Sequence, residues 1–136
     1  MSVETTFHVR YAETDQMGVA HHSAYVVWME EGRSAYMRAM GSDYAEIERS
    51  GYFFTVTELH VRYLAPAHYG ERITVRTRLE DIRSRGLTFA YEVLLADTGQ
   101  LLASGQSKHV CIDRDGRVTT IPARWRALLV GEQTPL

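Results

Sequence analysis

Tyr11-Ala12-Glu13-Thr14-Asp15-Gln16-Met17-Gly18-Val19-Ala20-His21-His22-Ser23-Ala24-Tyr25 is the stretch that decides the reading of this chain. It places a carboxylate, Asp15, in a glycine-containing loop directly before a strong helical pattern. A carboxylate in such a place can serve as nucleophile or base. The helix start beside it offers backbone N–H groups with no intrahelical partner, which can hold an oxyanion. Acyl transfer needs those two parts first. The competing reading is structural, because Asp also caps helices and stabilises loops.

Upstream, residues 5–11 alternate, with Phe7, Val9 and Tyr11 on one face and His8 and Arg10 on the other, the pattern of a half-buried strand. Downstream, from Ser23 to Met40, the period changes. Tyr25, Trp28, Met29, Gly32, Ala35, Tyr36, Ala39 and Met40 recur at three- and four-residue steps. They form one broad apolar stripe on a helix of about five turns, with Glu30, Glu31, Ser34 and Arg38 opposite and Gly41 as the stop. Gly32 suits close packing against a sheet. A second short helix is expected from Asp43, with Glu46 completing a capping box. Strands follow over 54–63, 73–79, 87–95 and 101–112, and a last one over 118–121. Turns at 68–71, 83–86, 97–99 and 113–116 punctuate them, so successive strands are expected to join as hairpins. Pro122 opens a short helix over 123–129, and the tail after Gly131 is expected to fray. The order is β–α–β–β–β–β, an α+β class in which the 23–40 helix is the element long enough to cover the sheet.

The 136 residues are 45% hydrophobic and 24% charged, with a net charge of −2. That describes one soluble globular domain over 1–136, with its core at about 5–125 and a C-terminal helix and tail over 122–136. The charge offers no electrostatic case for nucleic acid or an anionic membrane. No signal peptide and no membrane span are read in the sequence. The single cysteine, Cys111, lies in an apolar alternating segment and reads as a packing thiol, so the expected location is cytoplasmic. The sheet carries more aromatic alternation than one helix can bury, which predicts a homodimer.

The run Asp15-Gln16-Met17-Gly18-Val19-Ala20-His21-His22-Ser23-Ala24-Tyr25, with Trp28 after it and Tyr11-Ala12-Glu13-Thr14 before it, resembles the first motif of the hotdog-fold acyl-CoA thioesterases. The 4-hydroxybenzoyl-CoA thioesterase and YbgC-like branch is the nearest. Val61-Arg62-Tyr63-Leu64-Ala65-Pro66-Ala67 resembles that family's second signature. The resemblance implies a long central helix wrapped by a curved antiparallel sheet of about five strands. It also implies homodimers or homotetramers with interface active sites, and hydrolysis of acyl-CoA to free acid and CoA with no metal and no organic cofactor.

On that resemblance Asp15 is the catalytic acid, either nucleophile or general base, and the His22 backbone N–H is the oxyanion donor, of the order of 3 kcal/mol for one such donor. The His22 imidazole either orients the carbonyl or water, shifts the Asp15 proton affinity, or serves packing and capping. Gly18 allows the loop its turn. Tyr25 lines the acyl pocket, the core, or both. Arg83 and Arg85 match the position that contacts CoA phosphates, or form an exposed basic hairpin. Thr57 and Glu58 are further candidates from a neighbouring subunit. The six histidines show no tight ligand spacing, and no metal is expected. Ser104-Gly105-Gln106-Ser107 lacks the nucleophile-elbow pattern. Two alternatives to acyl-CoA hydrolysis remain open: a thioesterase acting on acyl carrier protein, whose acidic surface the Arg83 and Arg85 turn could meet, and a non-catalytic acyl-CoA-binding module.

Overall fold

The structure, a computed structural model, describes residues 1–131; the expected fraying of the tail falls outside them. Along the chain come β1 (Ser2–His8), α1 (His22–Ala39), α2 (Tyr44–Arg49), β2 (Phe53–Tyr63), β3 (Arg72–Ile82), β4 (Gly86–Leu95), β5 (Leu101–Ile112) and α3 (Ala123–Leu129). The strands make one antiparallel sheet in the order β1-β3-β4-β5-β2. Register shifts at Val56/Glu58, Leu79/Asp81 and Val93/Leu94 bend it, since extra residues in a ladder increase local twist and curvature.

α1 lies against β1, β3 and β4. Tyr25, Trp28, Met29, Gly32, Tyr36 and Met37 face the sheet and are buried, each large side chain contributing about 2 kcal/mol by leaving water. A Cβ on Gly32 would stand 2.5 Å from Thr77 Oγ1 and 2.8 Å from Val75 Cγ1. The glycine therefore sets how closely helix and sheet approach. The stripe sits slightly rotated from its expected place: Arg33 is buried and Ala39 exposed. α3 seals the far end of α1 with Trp125 and Leu129, and Tyr36 donates its hydroxyl to Leu129 O at 2.6 Å. Half of the expected α2 capping box forms: Asp43 Oδ1 accepts from Glu46 N at 2.7 Å, while the Glu46 carboxylate accepts from Ser42 Oγ at 2.9 Å and Arg124 Nη2 at 2.7 Å instead. Among the described residues no helix is long and apolar enough to cross a membrane.

Three sequence expectations change. β1 ends at His8, and Tyr11 is 78% exposed in a 3-10 turn, because the Glu13 carboxylate captures the Arg10 N–H at 2.8 Å and turns the chain. The 68–71 turn does not make a hairpin of β2 and β3, which β4 and β5 separate. Residues 64–71 instead cross the end of the sheet, held by Leu64 and Ala65 N–H on Leu102 O and by Gly70 N–H on Val9 O. Residues 118–121 form no strand. They are a strap, joined by one bridge at Ile112–Val118 and by Ile121 N–H on Ser84 O at 2.8 Å.

Candidate active site

The Asp15 loop is a tight, internally bonded structure. Thr14 and Ala20 bridge across its stem. Asp15 N–H donates to Val19 O at 2.9 Å, and Gly18 N–H donates to Asp15 O at 3.0 Å. Asp15 Oδ1 accepts from Met17 N at 2.8 Å. The loop-stabilising role of this carboxylate is thus present, and it engages one oxygen. Among the described residues no hydrogen bond engages Oδ2, and the residue is exposed. Gly18 has φ +77°, and a Cβ there would meet nothing within 4 Å, so the constraint is backbone conformation and not space.

The start of α1 has its donors assigned almost completely. His21 is the N-cap, its Nδ1 accepting from Ser23 N at 3.2 Å, and Ala24 N–H donates to His21 O at 2.9 Å. His21 N–H is taken by Glu13 O at 2.7 Å. Among the described residues, the first-turn donor left without a partner is the N–H of His22. The His22 ring is exposed and stacks on His21 with centroids 4.1 Å apart.

Beside His22 is an apolar recess of about 320 Å³ lined by Ala20, His22, Tyr25, Tyr63, Leu64 and Pro66, among others. Tyr25 is buried, and Ala67 N–H donates to its hydroxyl at 3.2 Å. Burial pushes that hydroxyl's pKa up, so it keeps its proton. Tyr63 donates to His22 O at 2.8 Å and meets the Tyr25 ring edge-on at 5.0 Å. Ala20 N–H reaches Ala67 O at 2.8 Å. The stretch 61–67 therefore forms the wall of the site begun by 11–25. The signature over 61–67 marks this stretch in the sequence, but it does not assign Tyr63 to His22, because their distance depends on how the crossing segment runs.

Arg83 and Arg85 are not part of this cluster within one chain. They lie in the β3–β4 turn, where Arg83 Nε meets Asp81 Oδ2 at 3.0 Å and Arg126 donates to Arg83 O. The Asp15 loop sits at the other end of β3, past Glu71 and His68. Eleven residues of β3 separate the two, roughly 33 Å at the usual rise.

A second polar group occupies the core away from the loop. Arg33 Nη1 donates to Tyr91 OH at 3.2 Å, Tyr91 OH pairs with Ser107 Oγ, and Ser107 Oγ pairs with His109 Nε2 at 2.7 Å. His109 Nδ1 is buried without a partner among the described residues. Cys111 is buried, and burial, with Asp113 adding to it, raises the pKa of its thiol.

A family model described as the thioesterase-like superfamily matches residues 9–129. The chain belongs to that superfamily. It is 38% identical over 107 residues to YneP of Bacillus subtilis, provisionally named an acyl-CoA thioesterase, with 79% of this chain and 77% of that one covered. The crystal structure of the hypothetical protein TT1821 from Thermus thermophilus superposes with a TM-score of 0.90 at 42% identity, covering 96% and 98% of the two chains. The DHNA-CoA thioesterase of Staphylococcus aureus superposes at 0.85 with 31% identity, covering 93% and 87%. The fold is the hotdog fold, and the protein is a thioester hydrolase.

Proposed function

We propose that this hydrolase cleaves an acyl-CoA thioester to the free acid and CoA, with Asp15 as nucleophile or general base and the His22 N–H as oxyanion donor. One observation carries the reading. At one end of the molecule, a carboxylate with an unengaged oxygen and an unpartnered helix-start N–H share a short bonded loop, next to an apolar recess. YneP and the Staphylococcus aureus protein are named for CoA thioesters, which supports CoA as the carrier.

A thioester carbonyl is electrophilic, and thiolate is a fair leaving group. In the nucleophilic route an Asp15 oxygen bonds to the carbonyl carbon and the C–S bond breaks. The resulting mixed anhydride is then opened by water. In the general-base route Asp15 takes a proton from the attacking water, and that proton passes to the departing thiolate. Both routes build negative charge on the carbonyl oxygen, where the His22 N–H stabilises it.

The site is completed by a second copy of the chain. β2 is an edge strand of eleven residues, with Val56 48% exposed and Leu59 37% exposed. An open edge of that length favours pairing with another strand. β2 runs from the Arg85 end of the molecule, where Cys111 N–H meets Arg85 O, to the His22 end, where Tyr63 meets His22 O. Antiparallel pairing of two β2 strands about a two-fold axis lays the basic turn of one subunit beside the Asp15 end of the other. That supports a homodimer in which Arg83 and Arg85 serve the phosphates of CoA bound across the interface. With its thiol unpaired and buried, the enzyme suits the cytoplasm.

Thiol release measured with a dye, over short, long and aromatic acyl-CoAs, tests the reading. Asp15→Asn is expected to lower turnover by at least roughly a hundredfold while the fold persists. Undiminished turnover in that variant would overturn the assignment of Asp15. Turnover on matched acyl carrier protein substrates and not on CoA would move the carrier. Saturable acyl-CoA binding without thiol release would instead indicate a binding module.

A further inference from the structure

Glu13 stands two residues before Asp15, and its side chain is 8% exposed although it carries a carboxylate. It receives three donors. Trp28 Nε1 of α1 reaches Oε2 at 2.7 Å, Arg10 N reaches Oε1 at 2.8 Å, and Arg10 Nη2 reaches Oε2 at 3.3 Å. Burial alone would raise its pKa, but these hydrogen bonds and the Arg10 charge outweigh it and hold the carboxyl below its ordinary range. The same residue's carbonyl accepts from His21 N–H at 2.7 Å, and His21 is the cap that makes His22 the first residue of α1. Glu13 thus ties three things together: the end of the strand segment through Arg10, the helix interior through Trp28, and the returning stem of the loop through His21.

We propose that Glu13 is a positioning residue for the Asp15 site, clamping the loop that carries Asp15 and the His22 N–H against Trp28. The two groups must meet one carbonyl carbon and its oxygen from different directions. A displacement of about 1 Å in such an arrangement costs on the order of a hundredfold in rate. The loop's own bonds fix its internal shape: Thr14 to Ala20 and Asp15 to Val19. They do not fix its placement over α1. Ala20 N–H on Ala67 O and the Val19–His68 bridge hold the outer arm of the loop, and the Trp28 indole holds the inner arm at Glu13. Trp28 is a firm anchor, being itself 2% exposed and packed between Phe7 and Tyr25 at centroid distances of 6.3 and 4.6 Å. In a Glu13→Gln side chain one oxygen becomes an NH2 group. Either the part-buried Trp28 Nε1 or the more exposed Arg10 N then faces a donor and loses its acceptor, and one arm of the clamp is released.

The inference rests on the Asp15 reading, so the experiment keeps the two separable. Hydrogen exchange by mass spectrometry, kcat and KM are measured on wild type, Glu13→Gln, Trp28→Phe and Asp15→Asn. Glu13→Gln is expected to speed exchange in residues 14–22 while the sheet stays protected. It is also expected to lower kcat roughly 10- to 100-fold with KM within about threefold. Trp28→Phe keeps a ring in the core and removes one donor, and a smaller loss of kcat with the same exchange signature is expected. Unchanged kcat in Glu13→Gln, with Asp15→Asn inactive, would overturn the inference alone. So would unchanged exchange in the loop, or a loss spread over the whole sheet. Full turnover in Asp15→Asn would instead overturn the underlying reading of the site.

Discussion

The buried chain ending at His109 predicts a specific acid sensitivity. His109 is 3% exposed on β5, with Nε2 on Ser107 and Nδ1 unpartnered among the described residues. Burial, with the Arg33 guanidinium adding to it, pushes the imidazole down from 6.5 to about 4. Because the folded value is depressed, the unfolded chain takes up this proton first on acidification. The stability contributed by the neutral imidazole is complete above about pH 6.5 and is lost as pH falls toward 4. The shift corresponds to about 3 kcal/mol in total, of which about 2 kcal/mol is gone by pH 5. His109→Phe retains a ring beside Phe89, with which His109 makes an edge contact at 5.7 Å, and removes the proton site. Urea unfolding at pH 7 and pH 5, at one fixed protein concentration, is the assay. Wild type should lose about 2 kcal/mol more than the variant between the two pH values, whatever their absolute stabilities. An equal loss in both proteins would refute the assignment of the acid sensitivity to this imidazole.

Gly32→Ala should destabilise by about 1–2 kcal/mol in thermal or urea unfolding, since overpacking against the stiff side chains of Val75 and Thr77 exceeds the gain in helix propensity of about 1 kcal/mol. A more stable variant would mean the helix can lift off the sheet freely. Gly18→Ala meets no atom but needs φ +77°, so it should cost about 1–2 kcal/mol of backbone strain and lower kcat more than it lowers the melting temperature. Leu59→Arg places a charge on the open face of the β2 edge and should yield monomers by sedimentation equilibrium with loss of turnover. A fully active monomer would remove the partner from the site.

The helix and its loop are legible in the sequence because their signals are local. A stripe at three- and four-residue spacing needs one covering surface, and Gly32 within it marks a close approach that the distances to Thr77 and Val75 bear out. Asp43 with Glu46, and Pro122 before the last helix, are likewise read within one turn of chain. The failures share a cause. Residues 118–121, Val-Thr-Thr-Ile, are β-branched throughout like a strand, yet that propensity does not say whether a neighbouring strand has a free edge there. The turn at 68–71 has hairpin chemistry, but pairing partners depend on which edges the sheet leaves open. Arg33 reads in sequence as one more charge on a helix, yet it is buried, because Tyr91 and Ser107 come to it from strands far along the sequence.

From the sequence alone come the element types, the placement of Asp15 in a loop before a helix start, and the class of chemistry such a pair suggests. These follow from periodicity, capping and turn rules that act over a few residues. Tertiary structure decided which groups actually meet. It brought Tyr63 and Ala67 onto the Asp15 loop, gave Glu13 its tryptophan donor, and set Arg83 and Arg85 at the opposite end of β3. Those outcomes depend on strand order and on the path of residues 64–71, both set by the competition among all strands for edges and buried faces, which no single stretch of sequence encodes.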